Sequence, residues 1–240
     1  MTVTETPTTP VRINADTRPD WLPYVAPMIA FLVLTTLEGQ LPLANEKTHP
    51  TYYPIAYGVK LIIVAIVTWF SREAWVDLRR LPCPKELAVA VLLGLLVTFQ
   101  WVGLEGWYPT VSLLGSRSGF DPGVYSPIGK VGYLLMRFTG LVILVPVIEE
   151  LFWRSFLWRW LIDPDFKKIA IGQPSTLAAA ATAGLFALSH PEWLPALITG
   201  LLWAWLVWKT KSISACVISH AVANLALGLY VVSTGDWKYL

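Results

Sequence analysis

LVILVPVIEELFWRSFLWRWLI, residues 141–162, is the stretch that decides the fold class. A helix needs ~17–25 largely apolar residues to cross a lipid core, and this run is long enough. Yet it carries Glu149 and Glu150, with Arg154 one turn after Glu150. A charge at bilayer depth costs at least ~2.5–3.5 kcal/mol on insertion scales, so an ionisable group there marks a candidate functional site.

Working outward, the same apolar character recurs along nearly the whole chain. Of its 240 residues 55% are hydrophobic, only 14% are charged and 13 are Trp. Mean hydropathy is +0.55. Soluble domains carry about 25% charged residues, so lipid is the expected solvent. The reading is an all-α polytopic membrane protein with about seven transmembrane helices, near 22–41, 52–70, 87–104, 133–161, 175–190, 194–208 and 213–232. Short alternating segments of the outer-membrane barrel type are absent. The fourth span is over-long, hence strongly tilted or in two pieces. Tyr and Trp cluster near span ends (Trp21, Tyr24, Trp101 and Trp193 among them), as interfacial belts require.

Residues 1–20 are polar, rich in Thr and Pro, and read as a disordered cytoplasmic tail; 21–240 read as one transmembrane domain. Eleven Lys and Arg fall on the side of the tail and loop 71–86, against four on the other side, Lys47, Arg117, Lys130 and Lys238. The positive-inside rule then predicts a cytoplasmic N-terminus and an outer C-terminus. A net charge of +2 without a basic tract gives no footprint for nucleic acid. Cys83 and Cys216 form no disulfide or zinc pattern and are expected as free thiols. Residues 105–130 make a long Gly/Pro/Ser-rich loop, for which a plain surface loop competes with a substrate-related role.

On a helix, Glu150 and Arg154 stand at i,i+4 and can pair, while Glu149 is turned about 100° away. An unpaired carboxylate in a dry site can trade protons near neutral pH. The plain alternative makes both glutamates packing partners of Arg137, Arg154 or Arg159. His190 ends the run that contains Phe186, and Pro191 follows to stop the helix. His220 and Asn224 share one face of the last span; alone, that pair could be helix–helix glue. A carboxylate, two imidazoles and a carboxamide on three helices are instead the groups needed to activate water and hold an oxyanion.

The segments EELFWR (Glu149–Arg154), FALSH (Phe186–His190) and HAVAN (His220–Asn224) match EExxxR, FxxxH and HxxxN in that order. This resembles the CAAX-protease and bacteriocin-processing family of intramembrane proteases, which includes the type II CAAX prenyl endopeptidases. Longer stretches, such as LSHPEWLPALITGLL and TKSISACVISHAVANL, are similar to its bacterial branch linked to exosortase and PEP-CTERM sorting systems. The resemblance implies a protease core about 133–232 and a multi-pass protein of a bacterial inner membrane. It also implies a peptide or membrane-anchored protein substrate, an exosortase-type system as partner, and no cofactor. It assigns catalytic roles to four residues: Glu149 and His190 on the attacking water, His220 and Asn224 on the oxyanion. Glu150, Arg154 and Phe186 support them.

Other chemistries fit less well. No HExxH string exists for a site-2 zinc enzyme, the loop serines Ser116 and Ser118 do not suit a rhomboid, and every Asp lies in the tail or near a loop. Zinc on Glu149, His190 and His220 is a chemically reasonable variant. A non-proteolytic assembly or immunity factor and a proton-coupled transporter are the readings from other classes. Depth is the difficulty: His190 falls at the outer end of span five, whereas Glu149 and His220 lie deeper. Span five must extend beyond Pro191, span four must break, or a water-filled cavity must reach inward.

Overall fold

The computed structural model describes residues 18–44, 47–114 and 119–239. The expected tail lies outside the described residues up to position 17, as do Arg12, Arg117, Ser116 and Ser118. Among the described residues seven helices carry the fold: α1 (Leu22–Glu38), α2 (Tyr52–Phe70), α3 (Pro84–Gly103), α4 (Pro127–Trp160), α5 (Thr176–Leu188), α6 (Trp193–Thr210) and α7 (Ile213–Thr234). Beyond them come short 3₁₀ turns, including Arg72–Leu78, and a two-residue antiparallel pair, β1 (Leu43–Ala44) with β2 (Lys47–Thr48). Four helices, α2, α3, α4 and α7, are long and apolar enough to cross a membrane, and α1 and α5 are shorter apolar helices. The chain is an all-helical, polytopic membrane protein.

Local chemistry sets the helix starts. Ser126, Ser175 and Ser212 each accept from a backbone N–H of the first turn of α4, α5 and α7. At α3, Cys83 and Glu86 form a reciprocal box ahead of Pro84, and Arg80 donates to both Glu86 oxygens at 3.2 and 2.9 Å. Lys211, at φ 53°, closes α6 in the left-handed region and lets α7 turn back at once.

The connections gather at two ends. Asp77, before α3, accepts from Tyr24 at the start of α1 and from Ser155 and Arg159 at the end of α4. Ser212 and Ser214 donate to the carbonyls of Arg80 and Leu78, so the α6–α7 turn shares that end. At the other end Tyr125 reaches the Pro50 carbonyl, Trp193 donates to Pro109, and Glu105 pairs with Lys238. Tyr24 at the start of α1 and Lys238 after α7 therefore lie at opposite ends of the bundle.

Two close helix crossings use glycine. A Cβ on Gly94 of α3 would fall 2.4 Å from the Ser219 carbonyl oxygen of α7, and one on Gly200 of α6 would fall 2.8 Å from the Ala183 Cα of α5. Small residues let backbones approach where lipid offers no hydrophobic drive for association. The core lies among α4–α7, around Phe186, Trp203, Leu206 and Ile213. Tyr24 and Trp101, expected in interfacial belts, are buried there too, Tyr24 donating to Asp77 and Trp101 lying edge-on to the His190 ring.

Helix α4 is neither broken nor regular. It runs through 34 residues with two π segments, Thr139–Leu144 and Leu151–Leu157, on either side of the α-helical Val145–Glu150. Pro146 has no N–H to donate and its ring crowds the carbonyl of Val142, so the ladder widens just before it. The glutamate pair thus sits on one and a half α-turns between two wide ones.

Candidate active site

Glu150 is fully buried. Its Oε1 accepts from Arg154 Nη1 at 3.2 Å and from His220 Nδ1 at 2.9 Å. A carboxylate cannot donate when ionised, so His220 Nδ1 carries a proton here. The His220 ring stacks on Trp203 with centroids 4.3 Å apart, and the Trp203 Nε1–H donates to Ser219 on the turn before. Arg154 is clamped between Phe186 and Trp203, its guanidinium 4.7 and 5.1 Å from their ring centroids. The i,i+4 pair read from the sequence is therefore one edge of a network that also takes in α5, α6 and α7.

Glu149 lies outside that network. It is 7% exposed, and its Oε2 is buried without a hydrogen-bond partner among the described residues. It borders a cavity of about 380 Å³ shared with His190, His220 and Asn224. All four residues expected to be catalytic therefore face one space, from α4, the end of α5 and α7. His190 Nδ1 lies 2.8 Å from the Phe186 carbonyl and 3.1 Å from Ser189 Oγ. A carbonyl only accepts, so Nδ1 carries a proton. Asn224 Nδ2 donates to the Leu141 carbonyl at 2.7 Å, which occupies one of its two amide hydrogens.

The residues whose depths differed on the sequence border one cavity. Helix α5 ends at Leu188, before Pro191. At 13 residues it covers ~20 Å, about 10 Å less than a hydrocarbon core, so a His just beyond its end need not sit at the far surface. The π segment of α4 also matters. Arg137, Leu141, Val145 and Glu149 all line the cavity at spacings of four. On a regular α-helix such a row drifts by about 40° per step and would leave the cavity over three steps. The wider π turn, with its i→i+5 bonds, cancels much of that drift.

Sequence reading missed several wall residues. Trp203 underlies both Arg154 and His220; its signal was a Trp in mid-span rather than at an interface. Met28, Phe31 and Thr35 of α1, Tyr53 of α2, and Lys238 and Tyr239 after α7 also line the cavity and belong to no motif. The last two are tethered at the rim, where Lys238 and the Tyr239 hydroxyl both reach Glu105. Partial burial would raise the Glu105 carboxyl, but these two hydrogen bonds outweigh it and hold it below the ordinary glutamate value. Cys83 and Cys216 are free, exposed and buried respectively. Among the described residues no three Asp, Glu, His or Cys side chains converge closely enough to hold a metal ion, so the zinc variant lacks a formed ligand set.

The family model for the Type II CAAX prenyl endopeptidase Rce1-like proteins matches residues 131–226, from the first turns of α4 into α7. Over these residues the chain is similar to the CAAX protease family. Every residue of the EExxxR, FxxxH and HxxxN strings falls inside the matched residues, and the family is one of membrane endopeptidases. Comparison with curated proteins and with solved structures gave no match. The matched segment supplies Arg137, Glu149, His190, His220 and Asn224 to the cavity wall, while α1, Tyr53 of α2 and Val97, Thr98 and Trp101 of α3 line it from outside the matched region.

Proposed function

We propose that this protein is a glutamate-dependent intramembrane endopeptidase acting on a peptide or membrane-anchored protein segment. The observation that carries the proposal is the asymmetry of the glutamate pair. Glu150 is consumed by Arg154 and His220, while Glu149 faces the shared cavity with a buried, unpartnered oxygen.

In this reading Glu149 takes a proton from a water that His190 helps to orient through Nε2. The water oxygen attacks the scissile carbonyl carbon and the carbonyl becomes an oxyanion. His220, as an imidazolium steadied by Glu150, donates to that oxyanion from Nε2, and Asn224 offers its second amide hydrogen. Collapse of the tetrahedral species breaks the C–N bond, and the proton held by Glu149 passes to the leaving nitrogen. Arg154 and Phe186 keep the network in place.

Tyr53, Trp101, Lys238 and Tyr239 border the cavity, on the side of the bundle where Glu105 pairs with Lys238. The positive-inside count assigns the opposite end to the cytoplasm. Together they support an active site facing outward from a cell membrane. An exosortase-type partner rests on the sequence resemblance alone.

The test is a quenched-fluorescence library of apolar peptides cleaved by detergent-purified protein. Losing a positioned general base lowers the rate by ~10²–10⁴-fold, so E149Q should fall to near background while melting like the wild type. H190A and H220A should follow. Full cleavage by folded E149Q would sink the proposal.

A further inference from the structure

Arg137 lines the same cavity as Glu149, yet nothing in the proposed chemistry uses it. Its guanidinium lies over the Tyr57 ring at 4.5 Å, and its Nε is buried without a hydrogen-bond partner. Among the described residues it enters no ion pair. The neighbouring cations differ. Lys60 is neutralised by Glu38, also the acidic group whose charge acts on Arg137, and Lys238 is taken up by Glu105 and Asp236. The wall therefore presents one uncompensated guanidinium, held flat against an aromatic face. A lone charge in a poorly hydrated wall is costly unless a counter-charge arrives, and a planar guanidinium is shaped for a carboxylate. One net positive charge matches a monoanion better than a phosphate, which carries more.

We propose that Arg137 is a specificity-determining residue that anchors a carboxylate of the substrate. That carboxylate is the free C-terminus or an acidic side chain close to it. Assigning the anion to a substrate rests on the protease reading above. Arg137 lies twelve positions before Glu149 on one helix, and the π segment keeps both on the cavity side. That separation is about 18 Å along the axis, or about five residues of extended peptide. Cleavage is thereby measured from the anchored carboxylate, and the scissile bond falls about that far upstream of it.

Binding tests this apart from turnover. Fluorescence anisotropy would follow a labelled Ala/Leu peptide, as C-terminal acid or C-terminal amide, on full-length E149Q protein in detergent. The acid should bind about tenfold tighter, the gain of a charge-assisted hydrogen-bonded pair. Adding R137Q should equalise the two peptides, and adding R137K should retain part of the preference. An amide-terminated peptide with Asp in place of one Ala near its end separates the sources. Recovery of tight binding assigns the site to a side chain, and no recovery assigns it to the C-terminus. Equal binding of acid and amide by E149Q, or a preference that survives R137Q, overturns the proposal. R137K guards against a merely misfolded R137Q. Preference for the acid with no cleavage by the wild type would leave the carboxylate anchor standing and remove the protease reading.

Discussion

Glu149 and Glu150 are adjacent in sequence but differ in what they hold, so amide or alanine replacement should separate them. Removing Glu150 strands Arg154 and leaves His220 without its acceptor inside the core. Breaking a buried pair in this way costs about 3–5 kcal/mol, so E150A should melt well below the wild type in a detergent thermal-shift assay. E149Q removes no hydrogen bond from the Glu150 network and should melt close to the wild type. Equal destabilisation by both variants would show the two carboxylates to be equivalent scaffold. Phe186 makes a related point. It is 2% exposed and touches Trp153, His190, Trp203 and Arg154. F186A should lose about 3–5 kcal/mol of stability from the cavity it leaves, and His190 should lose its ring neighbour with it.

At the scale of elements, the position of His220 depends on how closely α7 approaches α3. Gly94 allows that approach, and a valine there would push its Cβ into the Ser219 carbonyl and the Val222 side chain. Overpacking of this kind costs about 1–3 kcal/mol. Since Ser219 precedes His220 and holds Trp203, G94V should lower both the melting temperature and the cleavage rate; an unchanged rate in the folded variant would show that the crossing does not set the site. The C-terminal tether makes a pH prediction. Glu105 titrates lower in the folded chain than in the unfolded one. Its hold on Lys238 and Tyr239 is thus complete above the ordinary glutamate value and is lost as pH falls through the depressed one. Amide exchange of residues 236–239, corrected for its intrinsic pH dependence, should accelerate over that acid range, and E105Q should abolish the dependence.

Over the whole molecule, exposed Cys83 and buried Cys216 lie on opposite sides of an accessibility test. If the charge asymmetry sets the orientation, an impermeant maleimide should label Cys83 in inverted vesicles and not in intact cells, with Cys216 unlabelled until denaturation. Labelling of Cys83 from outside would reverse the topology and turn the cavity toward the cytoplasm. Apolar periodicity and length made the seven helices legible from sequence, since each must satisfy its own backbone and each start carries a local cap or proline. Spacing alone also gave the Glu150–Arg154 pair, because i,i+4 contacts are local. Sequence could not supply the His220–Glu150 bond, the Trp203 shelf or the cavity wall from α1 and α2, which join residues far apart in the chain. Nor could it supply the π turn that aligns Arg137 with Glu149, although Pro146, which crowds the ladder there, stands in the sequence. Spacing and motif order separated a paired Glu150 from a Glu149 turned elsewhere; only the packing of the helices joined His220 to Glu150 and set Glu149 against a shared cavity, because those contacts link residues far apart in the chain.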